Sequence, residues 1–466
     1  MNPPARSVLA VAAALLVTAD ACGQGMVLPK FERIELDNGT VILLHEKHDV
    51  PLIGVEVIIR GGASSDPEGL AGLSGLLAGL LEKGAGDRGA AEFAETVAAV
   101  GGELVANGEL EAITISGEFL ADDADLMVEL LADMLRRPAL DAAEMDKLRK
   151  RLINFIRAAK DSRLGALVPI YGNAFLFGDH PYGNPASGSE ESLGKIKHRD
   201  LLGYYRDYIG ADRLIIAVAG DFDSAAMKKN LTSAFGDWHK AAAVLIDVDA
   251  PVPQTGRRVL LVDKPGATQT YFWIASVGVA IDYPQRAELD IANTVFGGWF
   301  TSMLNTELRI KSGLTYGARS ILTRSSQPGS VAIYSYTKTD STVAAIDMAL
   351  GVLSDLRASG IDSEMIQSAK NYILGQFPPR LETASQLAGI LTQLEHMNLD
   401  VSYIDDYGAA VADADDEIIT TVINDVYPAL DDLVFVLLGD AELIREAITK
   451  YGPVTEISIT TPRFRP

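Results

Sequence analysis

One segment of this sequence is repeated near its end, and the repetition constrains the fold more than any other feature. An apolar run that ends in Gly220 and Asp221 is matched by a second apolar run that ends in Gly439 and Asp440, 219 residues later. The strand that opens the first half also returns, as residues 269–276 ahead of a helical segment. A duplication of this length implies two domains with one fold. We expect an α+β protein of two homologous domains, each an antiparallel sheet with helices packed mainly on one face.

The join between the halves is predicted at residues 246–258, a polar segment marked by prolines. The N-terminal domain is then expected at residues 22–245 and the C-terminal domain at residues 259–466. With 466 residues, of which 48% are hydrophobic, the chain is long enough to bury two cores. Its formal net charge of -23 argues against nucleic acid or an anionic membrane as a partner and is compatible with basic or neutral peptides.

Residues 1–21 are predicted to be a signal peptide. Arg6 precedes an apolar run at residues 8–17, and an A-x-A cleavage pattern ends at Ala21. That run is too short to span a bilayer, and no later stretch approaches the required length. We therefore expect an exported, periplasmic protein without a transmembrane segment. The only cysteine, Cys22, follows the cleavage pattern, so no intrachain disulfide can form, and a lipid tether on Cys22 stays open as an alternative.

A leucine-rich helix is predicted within residues 69–83, which read GLAGLSGLLAGLLEK. Leucines at helical spacing form one face that is expected to meet a core. The other face carries Gly72, Gly75 and Gly79, and each interior glycine costs a helix about 1 kcal/mol relative to alanine. On its own this segment is typical of a core helix whose small residues allow close packing.

The segments around this helix resemble the first active-site element of the insulinase/pitrilysin metallopeptidases, the inverzincins. There a strand and a turn lead into a helix with the motif H-x-x-E-H, whose two histidines bind zinc while the glutamate activates a metal-bound water. In this register Gly75 and Gly79 stand at the histidine positions and Ala78 at the glutamate position. The family's third ligand, a glutamate on a later helix, is matched by Ile156, and Arg149 stands seven positions earlier. The resemblance implies a degenerate zinc site and no metal in this chain.

Other candidate positions in the first half are interpreted as structural. In the family, a strand with an L-N-A pattern pairs with the substrate peptide, and Val105 stands at its asparagine position. His45 and His48 lie three apart on a predicted strand, so their side chains face opposite sides, and both are expected to be exposed. His180, in an H-P-Y-G turn, and His198 are also assigned no catalytic role.

The second half carries the longest match to the family. The sequence GGWFTSMLNTELR runs from Gly297 to Arg309, and IKSGLTY continues to Tyr316. This resembles the family's G-G-x-F-x-S-x-L-x-x-x-L-R helix and its R-x-x-x-G-L-x-Y pair. A helix that ends after Arg309, a break at Gly313 and a strand that starts near Tyr316 can turn both polar tips into one cleft. In the family these groups bind the substrate carbonyl and the oxyanion, and such a donor contributes roughly 10²–10³ in rate.

The resemblance therefore implies a non-catalytic subunit of an exported heterodimeric zinc peptidase. A homologous partner would carry H-x-x-E-H and zinc, and this chain would contribute Arg309, Tyr316 and half of a chamber for peptide substrates. On this interpretation the small residues at Gly72, Gly75 and Gly79 leave room on the chamber wall for substrate or for close packing of the other half.

Two alternatives stay open. The chain can be a proteolytically inert structural or peptide-binding protein of the same fold. It can also be a metal enzyme with other ligands, although six histidines and one cysteine, none convincingly clustered, disfavour that function. The segment that ends at His396 resembles the tail of H-x-x-E-H, but Thr392 occupies the first histidine position.

Overall fold

The structure, a computed structural model, describes residues 27–253 and 255–466. The predicted signal peptide and Cys22 lie outside the described residues. Within those ranges, no helix combines the length and the apolar character needed to cross a membrane.

The first half forms one mixed sheet, a two-stranded ribbon and a set of helices. Its strands are β1 (Glu32–Glu35), β2 (Val41–Glu46), β3 (Leu52–Arg60), β4 (Gly84–Ala85), β5 (Arg88–Gly89), β6 (Glu103–Gly108), β7 (Ala112–Leu120) and β8 (Leu214–Gly220). Its helices are α1 (Leu73–Leu81), α2 (Ala90–Ala99), α3 (Ala124–Arg136), α4 (Ala142–Ser162), α5 (Leu164–Phe177), α6 (Glu190–Lys195), α7 (His198–Tyr208) and α8 (Ser224–Phe235). The sheet has the strand order β1-β2-β8-β3-β7-β6.

The second half also forms one mixed sheet and a set of helices. Its strands are β9 (Arg258–Asp263), β10 (Gln269–Val277), β11 (Ala318–Leu322), β12 (Ser330–Lys338), β13 (Val434–Gly439) and β14 (Val454–Ser458). Its helices are α9 (Arg286–Asn293), α10 (Met303–Asn305), α11 (Thr342–Ser359), α12 (Ser363–Gln376), α13 (Ala384–His396), α14 (Ser402–Asp405), α15 (Tyr407–Asp413), α16 (Asp416–Val426) and α17 (Ala441–Ile444). The sheet has the order β11-β12-β10-β13-β9-β14.

The two sheets repeat one topology, as the duplication predicts, and the α+β class is confirmed. Strands β6, β7, β3, β8 and β2 occupy the same successive places as β11, β12, β10, β13 and β9. Each sheet is mixed, however, because β2 runs parallel to β8 and β9 runs parallel to β13. The sixth place differs: β1 forms an antiparallel hairpin with β2, whereas β14, from the end of the chain, lies parallel to β9.

Each half also contributes a helix to the other half's sheet. Helix α5 packs on β10 and β13 of the second sheet, and α13 packs on β3 and β8 of the first. Because both faces of the first sheet are thereby covered, every residue of β8 is buried, and its sequence is a continuous apolar run. Helices therefore cover both faces of each sheet, one set from its own half and one helix from the other half.

Candidate functional site

Helix α1 holds the positions at which the family's zinc motif would stand. The turn before it places Gly72 at a left-handed φ of 90°, and Asp66 accepts hydrogen bonds from the backbone N–H groups of Gly72 (2.7 Å) and Ser74 (2.8 Å). These bonds satisfy donors at the helix start that otherwise lack a partner. The leucine face, Leu73, Leu76, Leu77, Leu80 and Leu81, is buried in the core as the periodicity predicts.

Backbone from the same half fills the glycine face of α1. A Cβ added to Gly75 would overlap the carbonyl oxygen of Ala186, and one added to Gly108, at the end of β6, would overlap the Gly75 Cα. A Cβ on Gly72 would likewise meet the backbone of Gly188. The expectation that these glycines leave room for substrate or for the other half is therefore wrong, because β6 and residues 186–188 of the same half occupy that space.

The remaining degenerate positions are apolar as well. Ala78 is fully buried, and a Cβ on Gly79 would lie 3.0 Å from a methyl group of Leu148 on α4. Ile156, two turns further along α4, is 8% exposed and belongs to the same core. Glycine, alanine and isoleucine side chains carry no lone pair for a metal, so zinc does not fit here. Across the described part of the chain, no three His, Cys, Asp or Glu side chains are arranged to hold a metal ion.

The structure brings Arg309 and Tyr316 into direct contact. The guanidinium carbon lies 4.4 Å from the centre of the Tyr316 ring and 4.8 Å from the centre of the Phe300 ring. Both distances fall within the range of cation–π attraction. Phe300 is 60% exposed and Tyr316 is 73% exposed, so the three side chains form a surface cluster that we call the arginine clamp.

The segment that carries the arginine clamp is less regular than the predicted helix. Residues 294–298 and 306–311 form π-helical turns around the short α10, and β11 begins at Ala318, two residues after Tyr316. π-Helical turns occur frequently at functional sites. Asn305 joins the parts: its side-chain amide donates to the Phe300 carbonyl (2.7 Å) and its Oδ1 accepts from the Ala318 N–H (3.2 Å).

Sequence reasoning did not assign Phe300 and Asn305 to the site. Phe300 is the aromatic residue of the G-G-x-F motif, and that motif could have assigned it to the site. No sequence pattern pointed to Asn305, because its role depends on the two backbone segments that it bridges.

Four histidines of the first half have structural partners. His45 is buried and its Nδ1 lies 2.9 Å from the Lys30 carbonyl, so the expectation that it is exposed is wrong. His48 is exposed and lies between Asp221 and Glu46, whose carboxylates raise its pKa. The Nε2 atoms of His180 and His198 contact backbone carbonyl oxygens, at 2.8 and 2.6 Å.

Comparison with known proteins gives two family matches. Residues 41–188 match the family described as Insulinase (Peptidase family M16), and residues 195–373 match the one described as Peptidase M16 inactive domain. These two ranges contain both α1 and the arginine clamp.

Curated relatives match most of the chain. This chain is 25% identical over 354 residues to the uncharacterized zinc protease YmxG of Bacillus subtilis, and the match covers 76% of this chain and 85% of the relative. It is 24% identical over 345 residues to the non-peptidase homolog YmxG of Helicobacter pylori, covering 74% and 79%.

Two solved structures share the fold. A peptidase M16 inactive domain from Pseudomonas fluorescens superposes with a TM-score of 0.82 at 20% identity, covering 88% of this chain and 98% of that one. A protease from Helicobacter pylori gives a TM-score of 0.80 at 21% identity and covers 88% and 100%.

Proposed function

The chain belongs to the insulinase-like M16 peptidase family, and from this premise we propose that it is the non-catalytic subunit of an exported zinc peptidase. A homologous subunit with an intact H-x-x-E-H motif supplies the zinc and the general base. This chain supplies substrate binding and stabilisation of the transition state, and it is proteolytically inert on its own.

The observation that carries the proposal is a difference between the two halves. The first half has no side chain at the motif positions able to bind a metal, whereas the second half presents Arg309 against Tyr316 on an exposed surface. A guanidinium and a phenol both donate hydrogen bonds, which is the chemistry needed at a carbonyl oxygen that becomes an oxyanion. The contacts of the guanidinium with the rings of Phe300 and Tyr316 restrain it before substrate arrives, which lowers the entropy cost of ordering the Arg309 side chain.

The surface around the arginine clamp supports contact with another chain. Phe300, Tyr316 and Ile310 expose 60%, 73% and 54% of their areas. Neighbouring exposed apolar side chains of this kind are typical of an interaction site. The family descriptions of the two matched ranges, one a peptidase and one an inactive domain, agree with a chain that works beside an active subunit.

Export is part of the proposal and rests on the sequence of residues 1–21. A signal peptide would place the complex in the periplasm. A lipid on Cys22 would in addition hold it at the membrane surface.

The test uses this chain mixed with an H-x-x-E-H-bearing family subunit from the same organism, with fluorescein-labelled casein as substrate. Arg309→Ala is expected to lower kcat about 10²–10³-fold, because an oxyanion donor acts mainly in the transition state. Tyr316→Phe keeps the ring under the guanidinium but removes the phenol, and it should lower kcat without changing assembly. Light scattering monitors assembly in each mixture.

Arg319→Ala is the matched control. Arg319 is an exposed arginine on β11 that stacks on Tyr334 and takes no part in the arginine clamp, so its loss should leave kcat unchanged. Equal rates for the native chain and Arg309→Ala, with assembly intact, would reject the transition-state role.

That result would favour the second candidate, an inert structural or peptide-binding protein. The relative from Helicobacter pylori, named a non-peptidase homolog, supports this candidate. The two functions differ in one measurement, since only the first makes the partner's rate depend on Arg309.

A further inference from the structure

Helix α13 lies at the seam between the halves and has two different faces. Leu387, Ala388, Leu391 and Leu394 pack on the first sheet. Gln386, Gly389, Gln393 and His396 recur at helical spacing on another side, where they line two adjoining cavities. Both cavities also share Arg324, two residues beyond the end of β11. The seam is therefore hollow on one side of α13.

The larger cavity is basic. It has a volume of about 560 Å³ and is lined by three arginines, Arg286, Arg324 and Arg380, but by only one carboxylate, Asp290. Asp290 is already engaged, because it accepts hydrogen bonds from Arg324 (2.7 Å) and from the Tyr407 hydroxyl (2.8 Å). An excess of two positive charges lines this cavity in a protein with a net charge of -23.

The donors of the basic cavity are only partly used. Arg286 stacks on the rings of Tyr403 and Tyr407 and donates to the Tyr403 carbonyl. The guanidinium of the exposed Arg380 forms no ion pair or hydrogen bond with the described residues. This end is suited to a carboxylate that lies beside aromatic walls.

The smaller cavity is acidic. It has a volume of about 310 Å³ and is lined by Glu56, Glu109 and Glu111, with Arg324 at its junction with the basic cavity. Glu111 is held by Tyr182, whose hydroxyl donates at 2.5 Å, and by the Ser326 backbone N–H at 3.0 Å. Burial, together with the charge of Glu109, raises the pKa of Glu56 to about 7.

We propose that the two cavities form one binding site for a short zwitterionic peptide, with its C-terminal carboxylate among Arg286, Arg324 and Arg380 and its terminal ammonium among Glu56, Glu109 and Glu111. Gln393 lines both cavities and Gln386 lines the basic one, and their side-chain amides can bond to peptide groups. The volumes fall within the usual range of small-ligand sites. This site lies within one chain, so it does not depend on the proposed partner.

The probe is the tripeptide Ala-Ala-Ala, titrated into the purified chain by isothermal calorimetry. We expect one peptide to bind per chain. The N-acetylated form and the C-terminal amide, which each lack one charge, should bind at least tenfold more weakly. Inorganic phosphate and the N-acetylated form test for a site that recognises an anion alone.

Substitutions locate the site. Gly389→Leu fills the cavity and is expected to weaken binding at least tenfold, and a Cβ at Gly389 meets no atom within 4 Å, so the fold tolerates it. Gly351→Leu, on the exposed side of α11, meets equally open space and should leave affinity unchanged. Arg380→Gln should weaken the binding of both the tripeptide and its N-acetylated form, whereas Arg319→Gln should leave both affinities unchanged.

Three outcomes would overturn the proposal. One is the absence of heat from Ala-Ala-Ala at millimolar concentration, and a second is unchanged affinity in Gly389→Leu. The third is binding of phosphate or the N-acetylated peptide as tightly as the zwitterion, which would indicate an anion site instead.

Discussion

At the scale of residues, the arginine clamp shows what motif spacing can and cannot predict. The spacing of Arg309 and Tyr316 predicted that a helix end and a strand start turn both polar tips into one cleft. The guanidinium does lie 4.4 Å from the ring centre, but Tyr316 is 73% exposed, so the pair lies on the surface. The role of this pair in catalysis stays a prediction. Exposed cation–π contacts contribute about 0.5–1 kcal/mol each, which is small beside whole-protein stability. We therefore expect the two aromatic neighbours to orient Arg309 rather than to stabilise the fold.

Glu56 gives a prediction on pH. Its folded-state pKa of about 7 lies above the ordinary value of 4.5, so it stabilises the fold fully below pH 4.5, and that contribution is lost as pH rises through 7. Glu56→Gln removes the ionisation. At pH 8 we expect the variant to be more stable than the native chain by about 2–4 kcal/mol, and at pH 4 by little or nothing.

Urea unfolding at the two pH values measures this difference. Glu103→Gln, an exposed carboxyl on β6, is the control and should shift stability equally little at both. A Glu56→Gln variant that loses stability at pH 8 would show that the carboxylate is compensated in the folded chain.

At the scale of elements, the helix α1 was predicted correctly, but the surroundings of its glycine face were predicted wrongly. The leucine face met the core as its periodicity required, and the helix bounds agree to within a few residues. The glycine face was expected to border an open chamber, but it borders β6 and residues 186–188. Glycine in sequence indicates that something approaches closely, and it does not say whether that is ligand or backbone.

Gly75→Ala tests this packing. The added methyl would overlap the Ala186 carbonyl, so we expect a loss of about 1–3 kcal/mol, although alanine is the better helix former. Thermal unfolding of the lone chain measures it.

Gly351→Ala is the matched control, because Gly351 is exposed within α11 and its Cβ would meet no atom within 4 Å. It should stabilise by about 0.5–1 kcal/mol. Equal gains in both variants would mean that α1 has open space beside Gly75 after all.

At the scale of the whole molecule, the halves depend on each other. Helix α5 covers part of the second sheet and α13 covers part of the first. The chain end adds a third connection: the Phe464 ring packs edge-on against Tyr171, 5.0 Å between centres, and Arg465 donates to the Gly178 carbonyl at 2.8 Å. Neither half has a complete core without the other.

We therefore expect one cooperative thermal transition for the full chain by calorimetry. Residues 22–245 and 246–466, produced separately, should each lack a cooperative transition, because each exposes an apolar sheet face. Produced together, they should form a soluble one-to-one complex. A cooperative transition in either isolated half would contradict this interdependence.

The sequence by itself determined the duplication, the α+β class, the leucine core of α1 and the loss of zinc-binding side chains, because periodicity and residue chemistry are local properties. Tertiary structure alone decided that α5 and α13 each pack on the sheet of the other half and that backbone covers the glycine face of α1. It also decided that Asn305 connects Phe300 to β11 and that a basic and an acidic cavity adjoin between the halves. Each of these depends on which distant segments come into contact. The chemistry of a side chain follows from the residue type at its own position. Its surroundings depend on residues that can lie two hundred or more positions away, and no local sequence pattern predicts those contacts.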